Sequence, residues 1–178
     1  MQLAQRHNFL IVSDEVYHFL SYTQRSPQPI AGFANESKQV ISINSFSKIL
    51  APGLRLGWIH AHEVHIQRLA GCGLLDSGGG MNPFTSAVVR YFIDAGDLAE
   101  NIAQLKKTYL ERLNTLCTAL DEYLPQVEYS RSHGGFFIWV RFPGKDTSLF
   151  RQRSDRFKVD IRQGVLFSSQ DSSSSENI

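Results

Sequence analysis

Gln39-Val40-Ile41-Ser42-Ile43-Asn44, followed at once by Ser45-Phe46-Ser47-Lys48, is the stretch that decides the fold. Val40, Ile41 and Ile43 make a candidate strand, and the polar turn with its lysine sits past the strand's end. Upstream, Phe9-Leu10-Ile11-Val12 is a continuous apolar run of the kind found in strands buried on both faces of a parallel sheet, and Asp14 lies just past it. Ligands of open α/β sheets bind beyond the carboxyl ends of the strands. The two polar clusters are therefore expected at one edge of one sheet. Leu54 to Ala61 is a third candidate strand after the Pro52-Gly53 turn, and Pro27, Pro29 and Gly32 mark the segment between the first two strands as loop.

Working outward, His62 to Leu69 reads as a short helix, Gly71 to Pro83 as a glycine-rich loop, and Pro83 to Ala95 as a helix with proline in its first turn. Leu98, Ile102, Leu105, Tyr109, Leu113, Leu116, Leu120 and Leu124 then recur every three or four residues. They form one apolar stripe over about seven turns. Asp97 and Glu100 can cap its start, and Pro125 stops it. Gln126 to Ser130 and Phe136 to Phe142 read as strands, Thr147 to Lys158 as a helix and Val159 to Leu166 as a mixed strand region. The serine-rich segment Ser168 to Ile178 has the composition of a disordered tail. No internal repeat is present.

The chain has 178 residues, 42% of them hydrophobic, enough for one core or two small ones. A net charge of +1 offers nothing to a polyanion such as nucleic acid. No apolar run is long enough to span a bilayer, and Met1 to His7 has no signal-peptide core. Cys72 and Cys117 are far apart and read as reduced thiols. A cytoplasmic protein is the expectation.

The clusters have a shared chemistry. Lys48 offers an amine for an aldehyde. Ser45, Ser47 and Arg55 bracket it with hydroxyls and a guanidinium suited to a phosphate. Asp14 offers a carboxylate that can keep a pyridine nitrogen protonated, and Tyr17 a phenol for a ring hydroxyl. An amine, a phosphate clamp, a carboxylate and a phenol are what pyridoxal phosphate requires of a protein.

The motifs Asp14-x-x-Tyr17, Ser45-Phe46-Ser47-Lys48 and Ala51-Pro52-Gly53-Leu54-Arg55-x-Gly57-Trp58 resemble the signatures of class I/II aminotransferases, pyridoxal-phosphate enzymes of fold type I. Gly134-Gly135-x-Phe137-x-Trp139 resembles a small-domain strand of that family. Gly78-Gly79-Gly80-x-Asn82-Pro83 is most similar to its kynurenine/2-aminoadipate aminotransferase branch. The resemblance implies an α/β fold in two parts. Residues 1–96 would be the C-terminal part of a large cofactor-binding domain, a mostly parallel sheet flanked by helices. Residues 97–178 would be a connecting helix and a smaller, truncated α+β domain.

It implies that Lys48 holds the cofactor covalently and shuttles a proton at the substrate Cα. Asp14 would pair with the pyridinium, Tyr17 with the ring hydroxyl, and Ser45, Ser47 and Arg55 with the phosphate. Amino transfer from an amino acid to a 2-oxo acid, in a homodimer, is the implied activity. The family's glycine-rich phosphate turn, its ring-stacking aromatic and an asparagine near the ring hydroxyl belong to a longer N-terminal half. Its substrate-carboxylate arginine follows an asparagine near the C-terminus, where this chain has Asn177-Ile178. A fragment is therefore expected.

Other readings compete. The same residues would serve a lyase or decarboxylase of this fold, a cofactor-sensing module, or an inactive remnant. Taken singly, Lys48 is an ordinary loop lysine, Asp14 a helix cap, Tyr17 a core residue and Arg55 half of a surface ion pair. His60, His62 and His65 lack the carboxylate or cysteine partners of a metal site and read as a solvated turn, so no metal is expected. Gly78-Gly79-Gly80 is not followed by the Lys-Ser/Thr of a phosphate loop and reads as a loop at the site entrance.

Overall fold

The computed structural model describes residues 1–23, 28–33, 37–76, 80–145, 147 and 150–167. Pro27, Gly78, Gly79 and the serine-rich tail lie outside the described residues. The chain divides into two compact units: Met1–Leu110 with His133–Gly135, and Glu111–Ser132 with the residues from Phe136 onward.

The first unit begins with helix α1 (Gln2–His7) and strand β1 (Ile11–Asp14). Strand β2 (Val40–Ser45) lies between β1 and strand β3 (Gly57–Ala61). β1 and β2 run parallel, with Asp14 beside Ile43; β2 and β3 run antiparallel, with Ser45 beside Gly57. The sheet among the described residues is thus mixed, where a mostly parallel one is expected from the sequence. The reason is the link. Residues 46 to 56 reverse direction through a 3-10 turn at Pro52–Leu54 and are too few to carry a helical crossover, whereas residues 15 to 39 give β1 and β2 the longer path that parallel pairing needs.

Burial alternates along β2 with the period of a pleated strand. Val40, Ser42 and Asn44 are buried, while Ile41, Ile43 and Ser45 are less so. Leu20, Val40, Ile49 and Val89 are the largest apolar side chains fully withdrawn from solvent. Helices α2 (Glu63–Ala70), α3 (Gly73–Asp76) and α4 (Pro83–Asp94) follow β3. Asn82 caps α4, its side chain accepting from Thr85 N, and Pro83 fills the first turn, where no donor is missed. α3 interrupts a segment expected to be loop throughout.

Helix α5 (Asp97–Tyr123) is the element the spacing predicts most directly. Its 27 residues make a rod of about 40 Å. Two details differ. The Gly96 carbonyl accepts from Ala99 N and Glu100 N, so Gly96 holds the cap position and Asp97 is the first helical residue. Asp97 and Glu100 therefore act through their charge at the positive helix end. The buried seam also runs through Cys117 rather than Leu116, because 3.6-residue periodicity drifts around a straight helix.

In the second unit β4 (Glu128–Tyr129) and β5 (Val140–Arg141) pair antiparallel over two residues each. Tyr129 OH donates to Asp121 Oδ1 at 2.6 Å, and Arg131 bonds Asn114, so the segment is tied to the end of α5. The strand expected over Phe136 to Phe142 survives only in β5. α6 (Phe150–Ser154) and a 3-10 turn at Asp155–Phe157 occupy the expected helix. Residues 159 to 166, expected as mixed strand, form no strand: 159 to 163 carry no regular element and a 3-10 turn follows at Gly164–Phe167.

His133–Gly135 belongs to the first unit. Gly134 bridges Ser21, Tyr22 N donates to His133 O at 2.8 Å, and Gly135 N donates to Leu20 O at 3.1 Å. Gly134-Gly135 is thus not part of a strand with Phe137 and Trp139. A Cβ on Gly134 would lie 2.9 Å from Leu20 O and 3.0 Å from Ser21 Cα, both rigid backbone. Gly134→Ala is expected to cost about 1–3 kcal/mol of overpacking strain. Urea melts of the two proteins measure it, and equal midpoints would contradict the docking.

Candidate functional site

The register places the chemistry. Because β1 and β2 are parallel neighbours, Asp14 at the end of β1 and Ser45 at the end of β2 leave the sheet at the same edge. β3 enters at that edge, since Gly57 pairs with Ser45. Asp14, Tyr17, Ser45, Ser47, Lys48 and Arg55 all stand there or on the turns leaving it.

The lysine turn is built on one carbonyl. Phe46 O accepts from Ile49 N, Leu50 N and Ala51 N at 3.3, 2.8 and 3.2 Å, and Phe46 N donates to Leu56 O at 3.0 Å. Ser45 Oγ accepts from Ser47 N at 3.1 Å and donates to Leu56 O at 3.4 Å. Ile49 is buried, and its carbonyl accepts from Asn101 Nδ2 of α5 at 2.7 Å. Lys48 is half-buried between these anchored neighbours. Arg55 follows the Pro52–Leu54 turn in the left-handed region, at φ 49 and ψ 41, and its Nη1 donates to Pro52 O at 3.1 Å.

On the other turn, Asp14 is exposed and its Oδ1 accepts from Val16 N at 3.3 Å, a turn contact rather than a helix cap. Tyr17 is half-buried. Burial pushes its phenol above the ordinary value, and the Asp14 carboxylate adds to that, so the ring holds its proton near the acid.

Sequence reasoning missed Glu15. Its Oε1 accepts from Ser13 Oγ at 3.1 Å and Ala31 N at 3.2 Å, and its Oε2 accepts from Ser42 Oγ at 2.8 Å. Asn44 Nδ2 in turn donates to Ser42 Oγ at 3.0 Å. The network joins β1, β2 and the 3-10 turn at Ile30–Phe33 directly behind Asp14. A signal existed: Ser42 and Asn44 alternate with Val40 on the buried face, where polar groups need partners.

The histidines do other work. His62 Nδ1 caps α2 by accepting from Val64 N at 3.2 Å, His65 Nε2 lies 2.6 Å from Lys38 O, and His60 is within β3 rather than on a turn. A cleft of ≈ 470 Å³, lined by Ile43, Trp58, Ile59, Ile66, Leu69 and Leu75 among others, holds none of the six candidate residues. It is mostly apolar and abuts the site only through Asn44 and Gly57. No helix among the described residues is long and apolar enough to cross a membrane.

The donor set fits pyridoxal phosphate. Lys48 could offer an amine, Arg55 and Ser47 could offer donors to a phosphate, and Asp14 with Tyr17 could offer an acceptor and a donor to a ring, all from one sheet edge. Lys48, Ser47 and Tyr17 are partly sheltered from water, whereas Asp14 and Arg55 are exposed.

A family model for aminotransferase class I and II matches residues 1–174. The aromatic-amino-acid aminotransferase 1 of Thermococcus litoralis is 33% identical over 169 residues, which are 94% of this chain and 39% of that protein. The crystal structure of a multiple substrate aminotransferase from Thermococcus profundus superposes with a TM-score of 0.81 at 34% identity, covering 93% of this chain and 41% of that one. The kynurenine aminotransferase of Pyrococcus horikoshii gives a TM-score of 0.78 at 32% identity, covering 89% and 39%. The chain spans about 40% of the length of these relatives.

Glu15 makes the site's support sensitive to acid. Burial pushes its carboxyl up, but the hydrogen bonds from Ser42, Ala31, Ser13 and Ile30 outweigh burial and hold it below the ordinary 4.5. A depressed folded-state value stabilises the fold fully above about 4.5, and that stabilisation is lost as pH falls through the folded-state value. Glu15→Gln is expected to flatten the acid limb of stability. Urea midpoints taken from neutral to acid pH test this, and parallel curves for the two proteins would refute it.

Proposed function

The chain belongs to the aminotransferase class I and II family, and from that premise we propose that it carries the lysine-bearing part of a pyridoxal-phosphate-dependent aminotransferase, acting on an amino acid and a 2-oxo acid. The observation that carries this reading is the convergence of the Asp14–Tyr17 turn, the Ser45–Lys48 turn and Arg55 on one sheet edge. The kynurenine/2-aminoadipate type is the branch we favour, in line with the likeness to a kynurenine aminotransferase. Residues 1–96 are read as the end of the large domain, and 97–178 as the connecting helix and part of a smaller domain. A homodimer in the cytoplasm completes the reading.

Bound pyridoxal phosphate supplies an aldehyde for amines and a ring that draws electron density from the substrate Cα. The protein's residues do the rest. Lys48 Nζ would anchor the group and would accept and return the proton at the substrate Cα. The Asp14 carboxylate would favour a protonated ring nitrogen by charge pairing. Tyr17, whose phenol burial pushes up with the Asp14 carboxylate adding to it, would donate a hydrogen bond to the ring oxygen. Arg55 meets the phosphate with a delocalised charge and parallel donors. Ser47 adds a hydroxyl. Ser45 has already committed its hydroxyl to the turn, accepting Ser47 N and donating to Leu56 O, so its part is first to shape the turn and only then to donate.

Adding the cofactor to the purified chain is expected to produce the visible absorbance band of a lysine-bound pyridoxal group. Borohydride should fix the added mass on Lys48, and Lys48→Ala should lose both while remaining folded. A parent chain without the band, or a label on another lysine, defeats the assignment. With an amino acid and a 2-oxo acid, a new amino acid is expected; ammonia or carbon dioxide alone would indicate a lyase or decarboxylase. Asp14→Ala should keep the band and lower turnover by about 100-fold or more. Undiminished turnover in that variant would remove Asp14 from the ring nitrogen.

A further inference from the structure

Arg55 occupies a backbone conformation that an L side chain adopts at a cost of about 1–2 kcal/mol. Such a residue stays there only when its surroundings hold it. The carbonyls on both sides of it are held. Leu56 O accepts from Phe46 N at 3.0 Å, which is a sheet-edge bond. Leu54 O accepts from Asn82 Nδ2 at 3.3 Å, which is a side-chain bond from the start of α4. The same amide accepts from Thr85 N through Oδ1 at 3.4 Å. Asn82 is half-buried between the two.

A backbone N–H on one side and a backbone carbonyl on the other require an acceptor and a donor on one short side chain. Serine, threonine or aspartate would cap α4 equally well. Only an amide also reaches back to Leu54. The helix therefore does not explain the asparagine, and the peptide next to Arg55 does.

We propose that Asn82 is a positioning residue for the phosphate: by clamping the Leu54 carbonyl it fixes the left-handed backbone of Arg55, and so sets where the guanidinium meets a phosphate monoester at the sheet edge. The proposal rests on the reading of this edge as a pyridoxal-phosphate site. It specifies that Asn82 acts on the phosphate end of the ligand and not on the amine or the ring.

Asn82→Ser keeps a capping hydroxyl, but that one short hydroxyl cannot also reach the Leu54 carbonyl while it caps α4. Binding of pyridoxal phosphate and of phosphate-free pyridoxal to the purified chain, followed by absorbance, separates the cases. The expected result is a dissociation constant for pyridoxal phosphate raised by about five- to tenfold, that of pyridoxal unchanged, and a melting temperature lowered by no more than about 2–4 °C. In an Arg55→Ala background the same substitution is expected to add nothing, since Asn82 would have no guanidinium left to place. Should the serine variant fold poorly, Asn82→Thr provides the same cap and the same comparison. Equal affinity of Asn82→Ser and parent for pyridoxal phosphate overturns the proposal, as does equal weakening of both ligands or a full effect in the Arg55→Ala background. A parent chain that binds neither ligand overturns the reading of the site itself, and this inference with it.

Discussion

The approach of Gly57 to the Asn44 carbonyl is the contact on which the site depends. A Cβ at Gly57 would lie 2.5 Å from that oxygen, so no other residue lets β3 start so close to the end of β2. The consequence runs outward in both directions. Pairing of Ser45 with Gly57 closes the link between the strands. Closure brings Leu56 O to Phe46 N, and Phe46 O becomes the hub of the turn that carries Lys48. Lys48 and Arg55 sit on one short loop whose two ends are locked together. Their separation is therefore a property of the backbone, and the ring contact of Phe46 with Trp58, 4.6 Å between centroids, packs the base of that loop.

Beside it, the parallel pairing of β1 with β2 carries the acid. Alternation at the end of β1 sends neighbouring carboxylates to different work: Asp14, its last residue, stays exposed at the edge, while Glu15, just past it, takes donors from Ser13, Ser42 and Ala31. A carboxylate with three such partners acts as a cross-link between β1, β2 and the segment connecting them. A neutral side chain of the same shape would lose at least one of these partners, and a buried hydroxyl left without its acceptor costs more than the bond was worth. Asp14 thus inherits its place from its neighbour.

Much of this was legible in advance, and the limits are physical. The stripe of α5 is long and regular, so tertiary context had little to override. The ends of β1 and β2 were legible because apolar runs stop where polar turns begin. The direction of β3 was not read, although the shortness of residues 46 to 56 rules out a crossover helix. Phe136 to Phe142 has strong strand propensity, yet only Val140 and Arg141 pair, since propensity describes a fit to neighbours that residues 136 to 139 do not have as strand partners. At the proposed site, Lys48, Asp14, Tyr17 and Arg55 are candidates on their chemistry alone, and the fold adds that they share one sheet edge. Glu15, Asn82 and Asn101 did not stand out, because a side chain that bonds a backbone carbonyl or a serine looks like any polar surface residue until the chain is folded.

The placement of those unnoticed residues has its own logic. On the proposed reading, Lys48 and Arg55 would meet a ligand with their charged ends. The order has to come from the peptides next to them. Asn101 of α5 takes the Ile49 carbonyl and Asn82 at the start of α4 takes the Leu54 carbonyl, one residue from Lys48 and one residue from Arg55. Each bond ties the loop to a helix. Helices are the rigid elements available, and an amide is short enough to transmit that rigidity with little rotamer freedom of its own. The loop then carries the Lys48 amine and the Arg55 guanidinium on a backbone tied at both positions to a helix. That combination suits a site where one end of a ligand is to be gripped and the other is to react.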